Sequence, residues 1–148
     1  MKKVTYRKLR YNNEVFEDYV VSSEGEIYDT SYSPMKKVSI NYPCKGKNAN
    51  SCYARTSLRG HGKNRKTILV HIAVCDTWNR NSMPVPEGVP IGVWKRTHES
   101  VKSAIRFIYQ VNHIDHDQHN HHPKNLEYTT AKQNQNKYQE HRLRKLAN

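Results

Sequence analysis

Long apolar segments are missing from this sequence of 148 residues. No run of about 18 apolar residues occurs, and the first residues lack a stretch of the signal-peptide type. We therefore expect no membrane association and a cytoplasmic location. Cysteine is scarce, with three residues and no C-x-x-C spacing, which argues against a disulfide framework or a four-ligand zinc ribbon. Cys44 and Cys52 could face each other across a hairpin, although free thiols fit a reducing cytoplasm better.

Acidic residues are outnumbered in the chain. There are 13 Asp and Glu against 25 Lys and Arg, which gives a formal net charge of +12. Such an excess is the electrostatic signature of a nucleic-acid-binding protein, and the simpler alternative is a basic protein that is merely soluble. The length fits about one domain with a modest core.

The N-terminal half has the pattern of short strands. Two β segments around a Ser-Ser-Glu-Gly turn are predicted at 15–28, where Gly25 supplies a positive φ. Further strands are predicted at 38–40 and 53–59. The cationic segment 60–66 is predicted to be a loop that reaches a phosphate backbone, or else a solvated hairpin tip. The candidates for nucleic-acid contact here are Arg55, Arg59, Lys63, Arg65 and Lys66.

Helical patterns dominate the second half. The apolar segment 67–78 suits a buried helix or a strand running into one, and its His71 is more simply a satisfied core residue than a ligand. Three prolines within 83–90 exclude regular structure there. Apolar spacing predicts a short amphipathic helix over 101–108, and 131–146 is predicted to be a C-terminal helix with a basic face. The cationic candidates on that last helix are Lys132 and Lys137.

The most distinctive pattern lies at 112–137. It contains Asn112-His113-Ile114-Asp115, then Asn125-Leu126-Glu127-Tyr128, then Asn134 within the predicted helix. This ordered set resembles the HNH (ββα-metal) endonuclease family, especially the phage and intron homing type, with its [D/N]-H-I-D, N-L, aromatic and helix-borne ligand. The segment 18–27 also resembles the Y-x-V-S-N-x-G-x-V module of those enzymes, with Ser23 replacing the Asn, and 69–74 resembles their V-H-R-L-V-A segment.

The resemblance implies an α+β fold in which a small N-terminal antiparallel β module precedes a ββα-metal (HNH) unit and a C-terminal basic helix. We place the basic DNA-binding module at 1–82, a proline-rich linker at 83–96, and the nuclease unit with its helix at 97–148. The implied activity is metal-dependent hydrolysis of phosphodiester bonds in double-stranded DNA, by a monomer or a homodimer.

The same motif supplies the candidate site residues. His113 is expected to be the general base, since an imidazole with a pKa of about 6.5 accepts a proton at cellular pH. Asn112 and Asn134 carry neutral carbonyl oxygens that suit Mg²⁺ or Mn²⁺. The resemblance implies that Asn125 bonds to backbone across the loop and holds the His113 strand, while Thr130 is predicted to be a helix N-cap. Asn112 and His113 are strand neighbours, so they need a strand end or bulge to face one phosphate.

One departure from the family keeps alternatives open. His116 stands where a glycine is usual, so a positive φ there would be costly. The surrounding histidines and aspartates could bind Zn²⁺ or Ni²⁺. A structural zinc is less favoured, because such sites usually take four ligands from distant elements and no cysteine is near. The alternatives are a catalytically silent HNH-derived DNA-binding protein, since neither proposed metal ligand is a carboxylate, and a zinc-stabilised nucleic-acid-binding module. The cluster comprises His113, Asp115, His116, Asp117, His119, His121 and His122.

Overall fold

The computed structural model describes residues 2–43, 53–60, 62 and 64–148. Within these residues the chain is mixed α+β, with three small antiparallel sheets and a long C-terminal helix, which confirms the predicted class. In this described part of the chain, no helix combines the length and apolar character needed to cross a membrane. Cys44, Cys52 and Lys63 lie outside the described residues.

The N-terminal sheet contains four antiparallel strands, which are, in order across it, β1 (Tyr6–Tyr11), β2 (Glu14–Ser22), β3 (Ile27–Asp29) and β4 (Lys36–Lys37). The hairpin predicted at 15–28 is confirmed, because β2 and β3 pair around a turn. Gly25 in that turn has φ +86°, and a Cβ there would clash with the backbone carbonyl of His121. Glycine is therefore required both by the turn and by a distant loop that packs on it.

Residues 38–40 do not form the predicted strand, because their hydrogen-bonding partner changes. The N–H of Val38 donates to the carbonyl of Ile27 at 2.9 Å, whereas Asn41 and Arg55 exchange two backbone hydrogen bonds of 2.8 and 2.9 Å. The segment thus passes from the first sheet to the second within four residues. That length is too short for a ladder with either sheet.

The second sheet is a hairpin that continues into a helix. It consists of β5 (Arg55–Arg59) and β6 (Arg65–Leu69), and α1 (Val70–Trp78) follows directly. The prediction of a strand running into a helix at 67–78 is therefore confirmed. The loop predicted at 60–66 is shorter than expected, since Arg65 and Lys66 pair with β5. From α1 the core receives Val70, Ala73, Val74 and Cys75.

The proline-rich segment lacks helix and strand at 83–90, and α2 (Ile91–Arg96) then begins directly after the last proline. Met83 and Trp94 are buried in the same core cluster as side chains from the N-terminal sheet and from the C-terminal part of the chain. The chain thus shares one hydrophobic core across the segment 83–96. The division into 1–82, 83–96 and 97–148 stays a prediction.

The helix predicted at 101–108 is divided in two. It forms α3 (Glu99–Ala104) and then a 3₁₀ turn (Arg106–Ile108), because Ile105 leaves the helical conformation with φ −94° and ψ 8°. Its expected apolar face is also open to solvent, since Val101 is 51% exposed and Ile108 is 48% exposed. Only Ile105 of the predicted face is partly buried against the core.

The C-terminal part is a strand-loop-strand-helix unit. Its elements are β7 (Tyr109–His113), a 3₁₀ turn (Pro123–Asn125), β8 (Leu126–Thr130) and α4 (Ala131–Ala147). The two strands are antiparallel and the helix begins without a gap, as the sequence predicts. Thr130 is the N-cap: its Oγ1 accepts from the N–H of Gln133 at 3.2 Å, and Gln133 Oε1 accepts from the N–H of Thr130 at 3.1 Å.

A buried carboxylate joins the two halves of the molecule. Asp76 Oδ1 accepts from Arg106 Nε at 2.6 Å and from Tyr128 Oη at 2.5 Å, and its Oδ2 accepts from the N–H of Asn12 at 2.8 Å. These partners come from the β1–β2 turn, from the segment before β7 and from β8. One side chain on α1 therefore ties the N-terminal sheet to the C-terminal unit.

Candidate active site

A cavity of about 640 Å³ lies between β7 and α4. Its lining includes Asn112 and His113 from the end of β7 and Asn134 from the first turns of α4. The structure thus brings three of the sequence-predicted site residues to one cavity. The helix faces it with residues at helical spacing, namely Ala131, Asn134, Gln135, Tyr138, His141 and Lys145.

His113 is the last residue of β7, and its side chain is 5% exposed. Its ring lies 5.0 Å from that of His71 and 6.0 Å from that of Tyr53, centroid to centroid. Nε2 is buried and has no hydrogen-bond partner among the described residues. Burial lowers the pKa of His113, with Asp115 opposing the shift, so the ring is neutral near pH 7.

Asn112 contacts a different set of groups from its neighbour. Its Nδ2 donates to Glu127 Oε1 at 3.0 Å across the β7–β8 pair, and Lys137 Nζ approaches the same oxygen at 2.5 Å. Burial raises the pKa of Glu127, but the bonds from Lys137 and Asn112 outweigh it and hold the pKa below its usual value. Because a carboxylate only accepts, it fixes the amide so that Asn112 Oδ1 points away from it.

Asn112 and His113 therefore have separate surroundings and still line one cavity. Alternate residues of β7 are buried, ending on His113, as expected for a strand whose side chains alternate between faces. The position of His113 at the strand end is what allows both side chains to border the same space.

Asn134 shows the same arrangement as Asn112. Its Nδ2 donates to Gln110 Oε1 at 3.0 Å, and within the described residues no donor is recorded for the Oδ1 of Asn112 or Asn134. Two amide oxygens without a donor are hard neutral ligands, which fit Mg²⁺ or Mn²⁺ in kind. Binding of either cation stays a prediction.

The histidines of the 114–122 loop contact several different side chains. His116 stacks on His141 at 3.8 Å, His119 and His121 contact Tyr42, and His122 lies 3.3 Å from Glu24. Over the ranges 2–43, 53–60 and 64–148, no group of three or more His, Cys, Asp or Glu side chains could hold a metal ion. A zinc-binding role for this loop stays a prediction, and the described residues offer no set of ligands for it.

Asn125 braces the loop that follows His113. Its Oδ1 accepts from the N–H of Asp115 at 3.0 Å, and its Nδ2 donates to Asp115 Oδ1 at 2.9 Å and to the carbonyl of Asn120 at 2.8 Å. Its own carbonyl accepts from the N–H of Ile114 at 2.8 Å. These bonds match the loop-spanning arrangement that the family resemblance implies for Asn125, while its importance for activity stays a prediction.

His116 adopts the positive φ that is costly for any residue other than glycine. Its φ is +62°, a region that non-glycine residues seldom occupy. The ring of His141 stacks on it from α4 at an interplanar angle of 18°. The strained residue is thus packed against the helix that carries Asn134.

The cationic candidates differ in whether they are already paired. Arg59 Nη2 contacts Asp29 at 2.8 Å and Lys66 Nζ contacts Glu14 at 2.5 Å, while Arg65 Nη2 donates to the carbonyl of Ser57. Lys137 is held by Glu127, as described above. Arg55 and Lys132 are exposed and form no ion pair with other described residues. Contact of any of these side chains with DNA stays a prediction.

Sequence reasoning did not find Glu127, Gln110, Tyr53 and His71 as members of this site. Glu127 could have been found by aligning 109–113 against 126–130, which sets it opposite Asn112. Tyr53 and His71 come from distant parts of the chain, and only the tertiary fold brings them to His113. His71 is buried, as predicted, but its Nδ1 has no hydrogen-bond partner among the described residues, so within that part of the chain it differs from the satisfied core histidine that the sequence favours.

The imidazole and the two amides of the cavity lie on the unit formed by β7, the loop after it, β8 and α4, and the fold of the chain is HNH-like. Among solved structures, the chain is similar to a structure that describes DNA binding and cleavage by the HNH homing endonuclease I-HmuI. The TM-score is 0.55 and the sequence identity is 22%. The match covers 90% of this chain and 59% of the I-HmuI chain, so this chain spans little more than half the length of the I-HmuI chain. No family model and no curated protein matches the chain.

Proposed function

We propose that this chain is a metal-dependent DNA endonuclease that hydrolyses phosphodiester bonds. The shared cavity carries the proposal, because a neutral buried imidazole lies there with two amides whose oxygens lack a donor within the described residues. The HNH-like fold supports it, since the similar solved structure is of an enzyme that binds and cleaves DNA.

His113 acts as the general base in the proposed reaction. Its lowered pKa leaves the ring neutral at cellular pH, so one ring nitrogen can take a proton from water as the water oxygen attacks phosphorus. The bond from phosphorus to the departing 3′-oxygen then breaks, and that oxygen is protonated from solvent. Asn125 holds the loop after His113 and so keeps the imidazole at the cavity.

Asn112 and Asn134 would hold one Mg²⁺ or Mn²⁺ through their Oδ1 atoms. When bound, such a cation offsets the negative charge that develops on the phosphate and the departing oxygen. Glu127 and Gln110 orient the two amides by accepting from Nδ2. Since two neutral ligands make a weak cation site, we expect low metal affinity in the absence of DNA.

Double-stranded DNA is the proposed substrate, because the net charge of +12 favours a polyanion. The exposed Arg55 and Lys132 are free to contact phosphates without breaking an ion pair of the described structure. One cavity hydrolyses one strand at a time, so a double-strand cut needs a homodimer or two successive nicks.

The test is incubation of supercoiled plasmid with the protein and Mg²⁺, Mn²⁺ or EDTA. We expect nicked or linear product with either cation and none with EDTA. His113→Ala should cut about 10²- to 10⁴-fold more slowly, the usual contribution of a general base. The matched control is His98→Ala, an exposed histidine away from the cavity, which should cut at the wild-type rate. Unchanged plasmid with every cation would contradict the proposal.

A catalytically silent DNA-binding protein is the second candidate. Two observations favour it. Neither of the proposed metal ligands Asn112 and Asn134 is a carboxylate, and the carboxylate of Glu127 beside Asn112 is already paired with Lys137. In that case the chain shifts duplex DNA on a native gel under the same conditions but leaves the plasmid supercoiled. Cutting that depends on His113 excludes this candidate.

A further inference from the structure

Two buried imidazole nitrogens beside the cavity have no hydrogen-bond partner among the described residues. They are Nε2 of His113 and Nδ1 of His71, and each side chain is 5% exposed. Buried polar atoms are nearly always partnered in folded proteins, so each exception calls for a physical reason. Both exceptions occur in neighbouring rings, so each ring has an unused hydrogen-bonding position close to the other ring.

The geometry sets these two rings together. His71 lies in the first turn of α1, with its centroid 5.0 Å from that of His113 and a tilt of 39°. Tyr53 stacks on His71 at 4.5 Å and 24°, and it also lies parallel to His113 at 6.0 Å. The three rings pack together, with both histidines buried and Tyr53 half-buried, and they support the end of β7 from the side of α1.

His71 has the protonation state of a hydrogen-bond acceptor. Burial, reinforced by the neighbouring His113, lowers its pKa to about 3, so the ring is neutral at cellular pH. A neutral imidazole carries one N–H donor and one acceptor nitrogen. His71 protonated on Nε2 therefore offers Nδ1 as an acceptor inside the protein.

We propose that His71 is a positioning residue, whose Nδ1 accepts a hydrogen bond from Nε2–H of His113 and so leaves Nδ1 of His113 free as the base. This inference rests on the proposed function of His113. The bond closes to hydrogen-bond distance when substrate binds, as contacts in ligand-free active sites often do. An orienting partner of this kind selects both the tautomer and the direction of a catalytic imidazole.

His121 is the competing partner, since its Nδ1 is also buried and unpartnered within the described residues. Its ring stacks on Tyr42 at 6.4 Å and belongs to the 114–122 loop, whereas His71 belongs to α1 and contacts the ring of His113 directly. The structure therefore favours His71, and a His121→Phe variant serves as the comparison.

Two substitutions separate acceptor chemistry from ring packing. His71→Phe keeps a buried ring and removes the acceptor, whereas His71→Asn removes the ring and keeps an oxygen near the position of Nδ1. We expect kcat for plasmid nicking to fall about tenfold to 10⁴-fold in His71→Phe, the range for loss of an orienting partner. KM should be unchanged, and His71→Asn should retain more activity than His71→Phe. The reverse order would show a packing role and overturn the proposal.

A second readout does not depend on cutting. In the ¹⁵N-histidine-labelled full chain bound to a short DNA duplex in EDTA, where no strand is cut, two-bond ¹⁵N–¹H correlations report which nitrogen of His113 carries the proton. We expect Nε2–H in the wild type and in His121→Phe, and a mixed population in His71→Phe. A wild-type proton on Nδ1, or a response to His121→Phe alone, would overturn the proposal even if a variant did not fold. Unimpaired cutting by His113→Ala would instead remove the proposed function.

Discussion

Two buried polar clusters in this molecule differ in how completely their atoms are partnered. In the Asp76 network both carboxylate oxygens accept hydrogen bonds, at 2.5 to 2.8 Å, from Arg106, Tyr128 and a backbone N–H. In the candidate active site one ring nitrogen of each histidine, Nδ1 of His71 and Nε2 of His113, is buried without a partner among the described residues. The first cluster is complete within the chain, while the second has unused hydrogen-bonding capacity.

This difference separates stability from function. Leaving a buried polar group unpaired costs about 1–3 kcal/mol, so the unpartnered nitrogens of His71 and His113 lower the stability of the ligand-free chain. Partnered groups such as Asp76 stabilise the fold, because removal of one member leaves the others unpaired. We therefore expect substitutions in the Asp76 network to change the free energy of unfolding, and substitutions at the cavity to change activity.

The largest effect on stability is expected for Asp76→Ala. Arg106 is 3% exposed, and loss of the carboxylate would leave its guanidinium charge buried and unpaired. We expect the free energy of unfolding to fall by about 3–5 kcal/mol, the usual cost of breaking a buried ion pair. Urea denaturation followed by circular dichroism measures it.

The control for Asp76→Ala is Asp18→Ala, which removes an exposed aspartate of β2. It should change the free energy of unfolding by less than about 0.5 kcal/mol. A loss of stability no larger for Asp76→Ala than for this control would mean that the network is not what joins the two halves of the molecule.

The C-terminal unit could be predicted from sequence because its signals are local. Thr130 and Gln133 are three residues apart and form the capping box that begins α4. The sequence pattern around His113 and Asn134 likewise predicts the ends of the strands and the start of the helix. The hairpin around Gly25 is local in the same sense. These elements depend on neighbours within a few residues, which sequence patterns report directly.

The remainder depends on contacts between distant segments. Nothing near His71 in sequence indicates Tyr53 or His113, and the pairing of Asp76 with Arg106 spans 30 residues. The prediction of a strand at 38–40 was wrong for the same reason, since Asn41 forms backbone hydrogen bonds with Arg55 of another sheet. Residues whose partners are set by tertiary packing are therefore those that patterns cannot assign.

Asn134→Ala tests whether an unpartnered atom serves activity and not stability. A bound cation contributes several kcal/mol of transition-state stabilisation, which corresponds to at least about 100-fold in rate. We expect a loss of that size in Mg²⁺-dependent nicking, with the free energy of unfolding within about 1 kcal/mol of wild type. The matched control, Asn136→Ala, lies on the exposed side of α4 and should alter neither quantity.

The pH dependence of stability sharpens the comparison at His71. Its pKa is about 3 in the folded chain and 6.5 as the ordinary value, so below pH 6.5 the unfolded chain binds a proton that the folded chain excludes. Wild-type stability is therefore complete above pH 6.5 and declines toward pH 3, by up to about 1.4 kcal/mol per pH unit from this residue. His71→Phe should show a shallower decline in urea denaturation between pH 7 and pH 4.5, and parallel curves would contradict the assignment.

The smallest effect is expected where a charge pair is fully formed but exposed. Glu17 lies 3.3 Å from Lys8, with the two side chains 71% and 55% exposed. Water already solvates both groups in the unfolded chain and screens them in the folded one, so Glu17→Ala should cost less than about 1 kcal/mol and leave nicking unchanged. Measured beside Asp76→Ala in the same urea titration, this variant separates partnering from burial. If the two variants lost equal free energy of unfolding, burial would not be the reason why the Asp76 network stabilises the fold. The burial of the unpartnered nitrogens of His71 and His113 would then carry no energetic argument either.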